Sequence, residues 1–366
     1  MEFKTIGFIG LGLIGGSLAQ TIRRIFPETQ LIGYDTRRES LAAALRDGTL
    51  NRVQDSMDEG FAVCDLIFLC APVSVNIACL KRLSEIVRPD CLISDVSSVK
   101  TAIHEAVAAA GIGRQFIGGH PMAGSERSGY DSASSRLLEN AYFILTPAGE
   151  EQPGMLEAYV EFVRSLGSLP LVLEYHRHDR AVAAVSHLPH LIAYTLVNVV
   201  RKSDDPDGLM RTLAAGGFRD LTRIASSSPE MWRQVCLENR EALEQLLDLY
   251  LRELTQVQEA LREERSDWLL EEFTSACRYR SEMPQTQVRS GIEPLPEIYT
   301  DIADEPGAIS IVTAILAANR LNLKNLKIIN NRENQNGVLC MEFANADDAA
   351  AAAGVLRGYH YVVYER

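Results

Sequence analysis

The sequence predicts three successive segments: an α/β domain with a doubly wound parallel sheet, an all-helical domain, and a small α+β domain of βαββαβ order. Three observations carry this. Short apolar runs at Thr5–Ile9, Gln30–Tyr34, 65–70, 91–96 and 115–119 alternate with stretches of helical composition, as parallel strands with crossover helices require. Strand signals then fade over residues 178–280, where apolar positions recur at helical spacing. Alternation returns after a stretch carrying Met283-Pro284, Glu293-Pro294 and Leu295-Pro296. The expected boundaries are 1–173, 174–283, a linker at 284–295, and 296–366.

The bulk values agree with a folded chain of this length. Of 366 residues, 46% are hydrophobic and 23% charged. A net charge of −13 argues against nucleic acid, because phosphate binding needs a basic footprint. A few local arginines could still hold a small anion. No stretch reaches 18 uninterrupted apolar residues, so no membrane span is expected. The N-terminal run lacks the basic region and cleavage site of a signal peptide. Seven widely spaced cysteines without a C-x-x-C fit reduced thiols in a cytoplasmic protein better than disulfides or zinc. No spacing of metal ligands stands out, and none is expected.

The first element is the most specific. The strand Thr5–Ile9 runs into Gly10-Leu11-Gly12-Leu13-Ile14-Gly15, and residues 17–22 continue as a helix. Gly10 permits the tight turn, Gly12 lets backbone approach a pyrophosphate, and Gly15 allows close helix–strand packing. The pyrophosphate then meets free N–H groups at the helix start. The second strand ends at Asp35, 20 residues after Gly15. That carboxylate can accept from both ribose hydroxyls and would repel a 2′-phosphate, so NAD is favoured over NADP. Arg37 and Arg38 keep NADP as a lesser alternative. Ala71-Pro72 closes the third strand on the same rim.

Two further strand ends lead to polar residues on that rim. One run passes Asp95 to reach Ser97-Ser98-Val99-Lys100, and the run at 115–119 is expected to end at His120. In such sheets ligands bind beyond the carboxyl ends of the strands. His120 is therefore placed where a nicotinamide ring would lie.

In the helical segment, His187, His190 and Tyr194 share one face at i, i+3 and i+7. Pro189 restricts that helix to a start or a kink. A glycine bend at 214–217 leads to Arg223, and a helix opening at Met231-Trp232 is expected to continue through a stripe of Leu243, Leu247, Tyr250, Leu254, Val257 and Leu261. That heptad stripe reads as core or dimer packing. Singly, each histidine reads as a satisfied structural residue, Arg223 as a surface or capping arginine, and Trp232 as core.

The tail at 296–366 resembles the ACT domain, a module that binds amino acids between paired copies. The matching residues are Asp304, Pro306 and Gly307 at the first turn, and Asn322 in Leu321-Asn322-Leu323. The resemblance implies that these positions contact an effector; a purely dimerising tail is the alternative.

Across residues 3–280 the chain resembles the prephenate dehydrogenase family of the tyrosine pathway. The carrying motifs are GLGLIGGSLA, DVSSVK, GGHPMAGSE, SHLPH, GGFRDLTRIA and PEMW. The resemblance implies NAD-dependent oxidative decarboxylation of prephenate in a homodimer, with tyrosine as the expected effector through feedback. It implies that His120 is the catalytic histidine bonded to the substrate's C4 hydroxyl, and that Ser98 orients that hydroxyl. Arg223 then binds a substrate carboxylate, and Glu126 helps gate the pocket near it. His187, His190 and Trp232 line the pocket, and relatives that use arogenate often lack the second histidine of SHLPH. No chorismate-mutase segment precedes the glycine loop, so no mutase activity is expected. Three alternatives are an arogenate dehydrogenase, a 3-hydroxyacid dehydrogenase and a catalytically dead NAD and amino-acid sensor. The second normally uses a lysine in the helical domain. The only lysine there, Lys202, lies in the polar run RKSDDPD.

Overall fold

The computed structural model describes residues 3–124, 127–283, 296–303, 305–329 and 337–365. They fall into two compact units, Met1–Val288 and Arg289–Arg366. The expected nucleotide and helical segments thus share one unit.

The first unit is built on a parallel sheet of β1 (Thr5–Ile9), β2 (Gln30–Tyr34), β3 (Arg52–Val53), β4 (Leu66–Leu69) and β5 (Leu92–Asp95), in the order β3-β2-β1-β4-β5. Helices α1 (Leu13–Ile25), α2 (Arg38–Arg46), α3 (Val73–Ile86) and α4 (Thr101–Ala110) cross between strands or follow them. Every residue of β4 and β5 is buried. Helix-covered faces explain why such strands read as apolar runs rather than as alternation. One face packs Phe8, Leu18, Ile22, Phe68 and Tyr159. The other packs Ile67, Leu69, Leu80, Leu83 and Phe116. The strand order reverses between β1 and β4, so the ligand crevice opens at their carboxyl ends.

After β5 the sheet ends, which differs from the sequence expectation. Residues β6 (Ile117–Pro121) do not continue it as a further parallel strand that stops at His120. Just before β6, the chain touches β5 through one isolated parallel bridge, Ile93 to Phe116. His120 lies inside β6, which pairs antiparallel with β7 (Tyr142–Pro147), and β7 pairs parallel with β8 (Leu169–Val172). Side chains explain the split. The Gly119 N–H donates to Asp95 Oδ1 at 3.2 Å, and Lys100 Nζ donates to the Gly119 carbonyl at 2.7 Å. A buried carboxylate and a buried ammonium thus take the bonds a neighbouring strand would have made. Helix α5 (Met155–Ser165) covers this smaller sheet.

Helix α6 (Tyr175–Val182) passes through a π turn at Ala183–His187 into α7 (Leu188–Ser203). Pro189 lacks an N–H and its ring would clash with the carbonyl four residues back. The wider π turn just before it relieves both demands. By length and composition, Tyr175–Ser203 is apolar enough to cross a membrane, with a mean hydropathy of 1.3 in its best window. Its first turns carry His178 and Asp179, which bond into the nucleotide-binding part.

Short helices α8 (Leu209–Leu213) and α9 (Gly216–Thr222) lead to a 3-10 turn at Arg223–Ser226, then α10 (Pro229–Glu238), α11 (Arg240–Arg262) and α12 (Ser266–Glu282). One helix was expected from Met231 through Leu261. It breaks at Asn239, whose buried side chain donates to the Asp179 carbonyl at 2.9 Å and lies 3.1 Å from His187 Nδ1. Along the stripe, Leu243 is buried, Leu247 and Tyr250 are half-buried, and Leu254, Val257 and Leu261 are exposed in the single chain.

The second unit has β9 (Glu297–Ile302), α13 (Ala308–Ala318), β10 (Leu323–Ile329), β11 (Gly337–Phe343), α14 (Ala346–Gly358) and β12 (Val363–Glu365). Its antiparallel sheet has the order β10-β11-β9-β12. Both helices pack on it around Val312, Leu316, Leu339, Ala352 and Leu356.

Candidate active site

The nucleotide loop is shaped by its glycines. Gly10 has φ +100°, and its N–H donates to the Tyr34 carbonyl at 2.8 Å. A Cβ on Gly15 would lie 2.3 Å from the Gly10 carbonyl oxygen, so only glycine lets α1 start this close to β1. Gly12 faces open space: a Cβ there would meet no atom within 4 Å. No side chain caps the start of α1, so the first turn at Leu13, Ile14 and Gly15 keeps its donors for a ligand.

Asp35 is mostly buried at the end of β2. It accepts from Leu11 N–H at 2.6 Å and Arg37 N–H at 2.7 Å, tying the loop to the strand end. Its remaining lone pairs suit ribose hydroxyls. Ala71 and Pro72 border the same crevice, where Ala71 N–H donates to Asn76 Oδ1 at 3.1 Å and Pro72 precedes α3. An open glycine, an uncapped helix start and an acid at the strand end fit a dinucleotide.

His120 is half-buried on β6. Its Nδ1 lies 2.8 Å from His178 Nε2, and His178 Nδ1 lies 2.8 Å from Asp179 Oδ1. Asp179 caps the start of α4 by accepting from Lys100 N–H and Thr101 N–H, each at 2.8 Å, and from the Thr101 hydroxyl at 2.6 Å. Behind His120, the fully buried Lys100 ammonium pairs with Asp95, which also accepts from Ser97 N–H at 2.9 Å. Burial, followed by the charges of His178, Lys100 and His187, holds the His120 imidazolium well below the usual histidine range. Its neutral form is therefore present at physiological pH. Ser98 sits half-buried between β5 and α4, next to the pinned Ser97.

The helical residues gather around Trp232. His190 stacks on its indole, with centroids 3.4 Å apart and planes 24° from parallel, and His187 meets it edge-on at 5.8 Å. Burial and then the Arg223 charge lower the pKa of His190 to about 4, while burial chiefly lowers that of His187 to about 4. Arg223 therefore lies close to the stacked pair, in a turn that packs on α7. The indole Nε1 is buried without a hydrogen-bond partner among the described residues. An indole N–H can only donate, so an acceptor brought to this site would satisfy it.

Most residues proposed from sequence thus fall into two groups, one at the glycine loop and one around His120 and Trp232. Glu126 lies outside the described residues. Tyr194, expected on the face of His187 and His190, is exposed. The sequence reading missed His178, Asp179 and Asn239. The only signal was the run His176-Arg177-His178-Asp179, an imidazole next to a carboxylate.

A neutral imidazole beside a dinucleotide crevice can take an alcohol's proton as hydride leaves its carbon. Fold and site thus define the class: a dinucleotide-dependent dehydrogenase with a helical second domain. Residues 18–169 match the family model described as prephenate dehydrogenase, nucleotide-binding domain, and residues 174–275 match prephenate dehydrogenase, dimerization domain. The chain belongs to the prephenate dehydrogenase family and is an NAD-dependent oxidoreductase. It is 36% identical over 350 residues to a prephenate dehydrogenase of Bacillus subtilis, covering 95% of this chain and 94% of that one. The prephenate dehydrogenase of Aquifex aeolicus, solved with hydroxyphenyl propionate and NAD+, superposes with a TM-score of 0.73 at 30% identity, covering 78% of this chain and 99% of that one. An arogenate dehydrogenase from Synechocystis superposes at 0.69 with 31% identity, covering 76% and 100%.

Proposed function

We propose that this chain converts prephenate to 4-hydroxyphenylpyruvate by NAD+-dependent oxidative decarboxylation. The observation that carries the reading is His120 on β6, held neutral by burial and bonded through His178 to Asp179, in the same unit as the open glycine loop. NAD+ held at the glycine loop and Asp35 would supply the hydride acceptor for C4 of the substrate. His120 removes the C4 hydroxyl proton as that carbon becomes a carbonyl, and Ser98 orients the hydroxyl. The ring carboxylate then leaves as carbon dioxide, and its bonding electrons complete the aromatic ring. Arg223 holds a substrate carboxylate, a charge-assisted contact that also orients C4. The unpaired Trp232 N–H donates to an acceptor on the substrate, while His187 and His190 close the pocket as neutral rings.

A homodimer forms through the helical domain. It would cover Leu254, Val257 and Leu261, which are exposed in the single chain. The second unit acts as an ACT-like sensor of tyrosine. In support, it has the β-α-β-β-α-β order, and Gly307 at φ +96° opens α13. Pro306 lies in that turn and Asn322 is exposed just before β10, whereas Asp304 lies outside the described residues. A cytoplasmic location fits seven free cysteines.

The likeness to an arogenate dehydrogenase supports one second reading, in which the substrate side chain bears an amino group. Initial rates of NADH formation with each substrate decide between them. Prephenate is expected to be turned over with the higher kcat/KM, and tyrosine to lower the rate. A large preference for arogenate would overturn the assignment.

A further inference from the structure

Asp179 and His178 form a buried chain that ends on His120, and with a neutral His178 its bonding leaves a single consistent set of proton positions. Asp179 is surrounded by donors: two backbone N–H groups, the Thr101 hydroxyl and His178. Burial alone would raise its pKa, but the bonds from His178 and Thr101 outweigh burial and leave it below the usual carboxylate range. It is therefore ionised and can only accept. His178 Nδ1, 2.8 Å away, must carry a proton. In neutral His178 the other nitrogen, Nε2, is then bare and can only accept. His120 Nδ1 lies 2.8 Å from that nitrogen, so it must donate. That leaves His120 Nε2 with a free lone pair. Against a neutral His178, the opposite tautomer of His120 would set two lone pairs face to face. The other charge behind the ring, the Lys100 ammonium, is taken up by Asp95 and the Gly119 carbonyl.

We infer that His178 and Asp179 are positioning residues which fix His120 as the Nδ1–H tautomer, so that Nε2 is the atom that removes the substrate proton. The role in turnover rests on reading His120 as the base; the tautomer itself does not. A general base needs its lone pair on the substrate side before the substrate arrives. A carboxylate two rings away secures this without placing a negative charge in the pocket. It also explains why α6 carries two consecutive buried polar residues, His178 and Asp179, against the nucleotide-binding part.

The test uses full-length enzyme labelled with 15N in its imidazole rings, with His120→Asn to assign the His120 signals. In the substrate-free protein, NMR is expected to show His120 with Nδ1 protonated and Nε2 bare. An Nε2–H tautomer there overturns the inference outright, whatever the variants do. His178→Phe keeps a ring of similar size and leaves Asp179 three of its four donors. Asp179→Asn removes the charge. Each folded variant is expected to populate both His120 tautomers. Each should also lose kcat by about 10- to 100-fold, the loss seen when outer partners of metal-bound histidines are removed, while KM stays nearly constant. An unchanged tautomer in a folded variant, or tautomer loss without a fall in kcat, overturns the inference. If wild-type enzyme shows the Nδ1–H tautomer but does not oxidise prephenate, the proposed substrate falls and the tautomer assignment stands.

Discussion

The glycine loop and the His120 cluster occupy one rim of the same unit but are built from opposite materials. The loop works through backbone: Gly10, Gly12 and Gly15 lie within six residues and act by what they lack. The cluster works through side chains drawn from Asp95, Lys100, His120, His178, Asp179 and Asn239, on β5, β6 and α6 and at the junctions before α4 and between α10 and α11. A loop of the first kind tolerates change anywhere except at its own few atoms. A cluster of the second kind couples the chemistry to how the two parts of the unit pack, because Asp179 caps α4 and orders His178 at once.

Three substitutions probe that contrast. The largest effect is expected at His120→Asn. Turnover should fall by about 10²- to 10⁴-fold, the usual contribution of a positioned general base. NAD+ affinity, which depends on the loop, should stay near wild type by fluorescence titration; an equal loss of both would join the two regions. The wild-type acid limb of kcat/KM should lie below pH 6.5, because the neutral base persists until its lowered pKa is reached.

Lys100→Met comes next. It strands the fully buried Asp95 carboxylate, at a cost of about 3–5 kcal/mol of stability in urea unfolding. A loss under about 1 kcal/mol, typical of a surface pair, would show that the ammonium does not hold β6 away from the main sheet. The smallest effect is expected at Arg223→Ala. Losing a charged hydrogen bond worth about 1.5–3 kcal/mol should raise KM for prephenate roughly 10- to 100-fold, with kcat less affected. An unchanged KM would remove Arg223 from substrate binding.

The same contrast governs what the sequence disclosed. Strands β1, β2, β4 and β5, the glycine turn and Asp35 were legible because each is set by neighbours in sequence. His120 was found as a residue, but its setting was misread. Its strand leaves the main sheet because Asp95 and Lys100, remote in sequence, intercept its backbone bonds. Asn239 interrupts an otherwise unbroken helical pattern for a similar reason, since its side chain serves Asp179 and His187. His178 and Asp179 gave almost no signal. A His-Asp pair on a helix looks like solvated surface until the fold buries it.

The central claim is most directly tested by following NADH and carbon dioxide together as the purified enzyme turns over prephenate. The account predicts equal amounts of both, with 4-hydroxyphenylpyruvate as the organic product. NADH without carbon dioxide, or no NADH from prephenate at all, would contradict it.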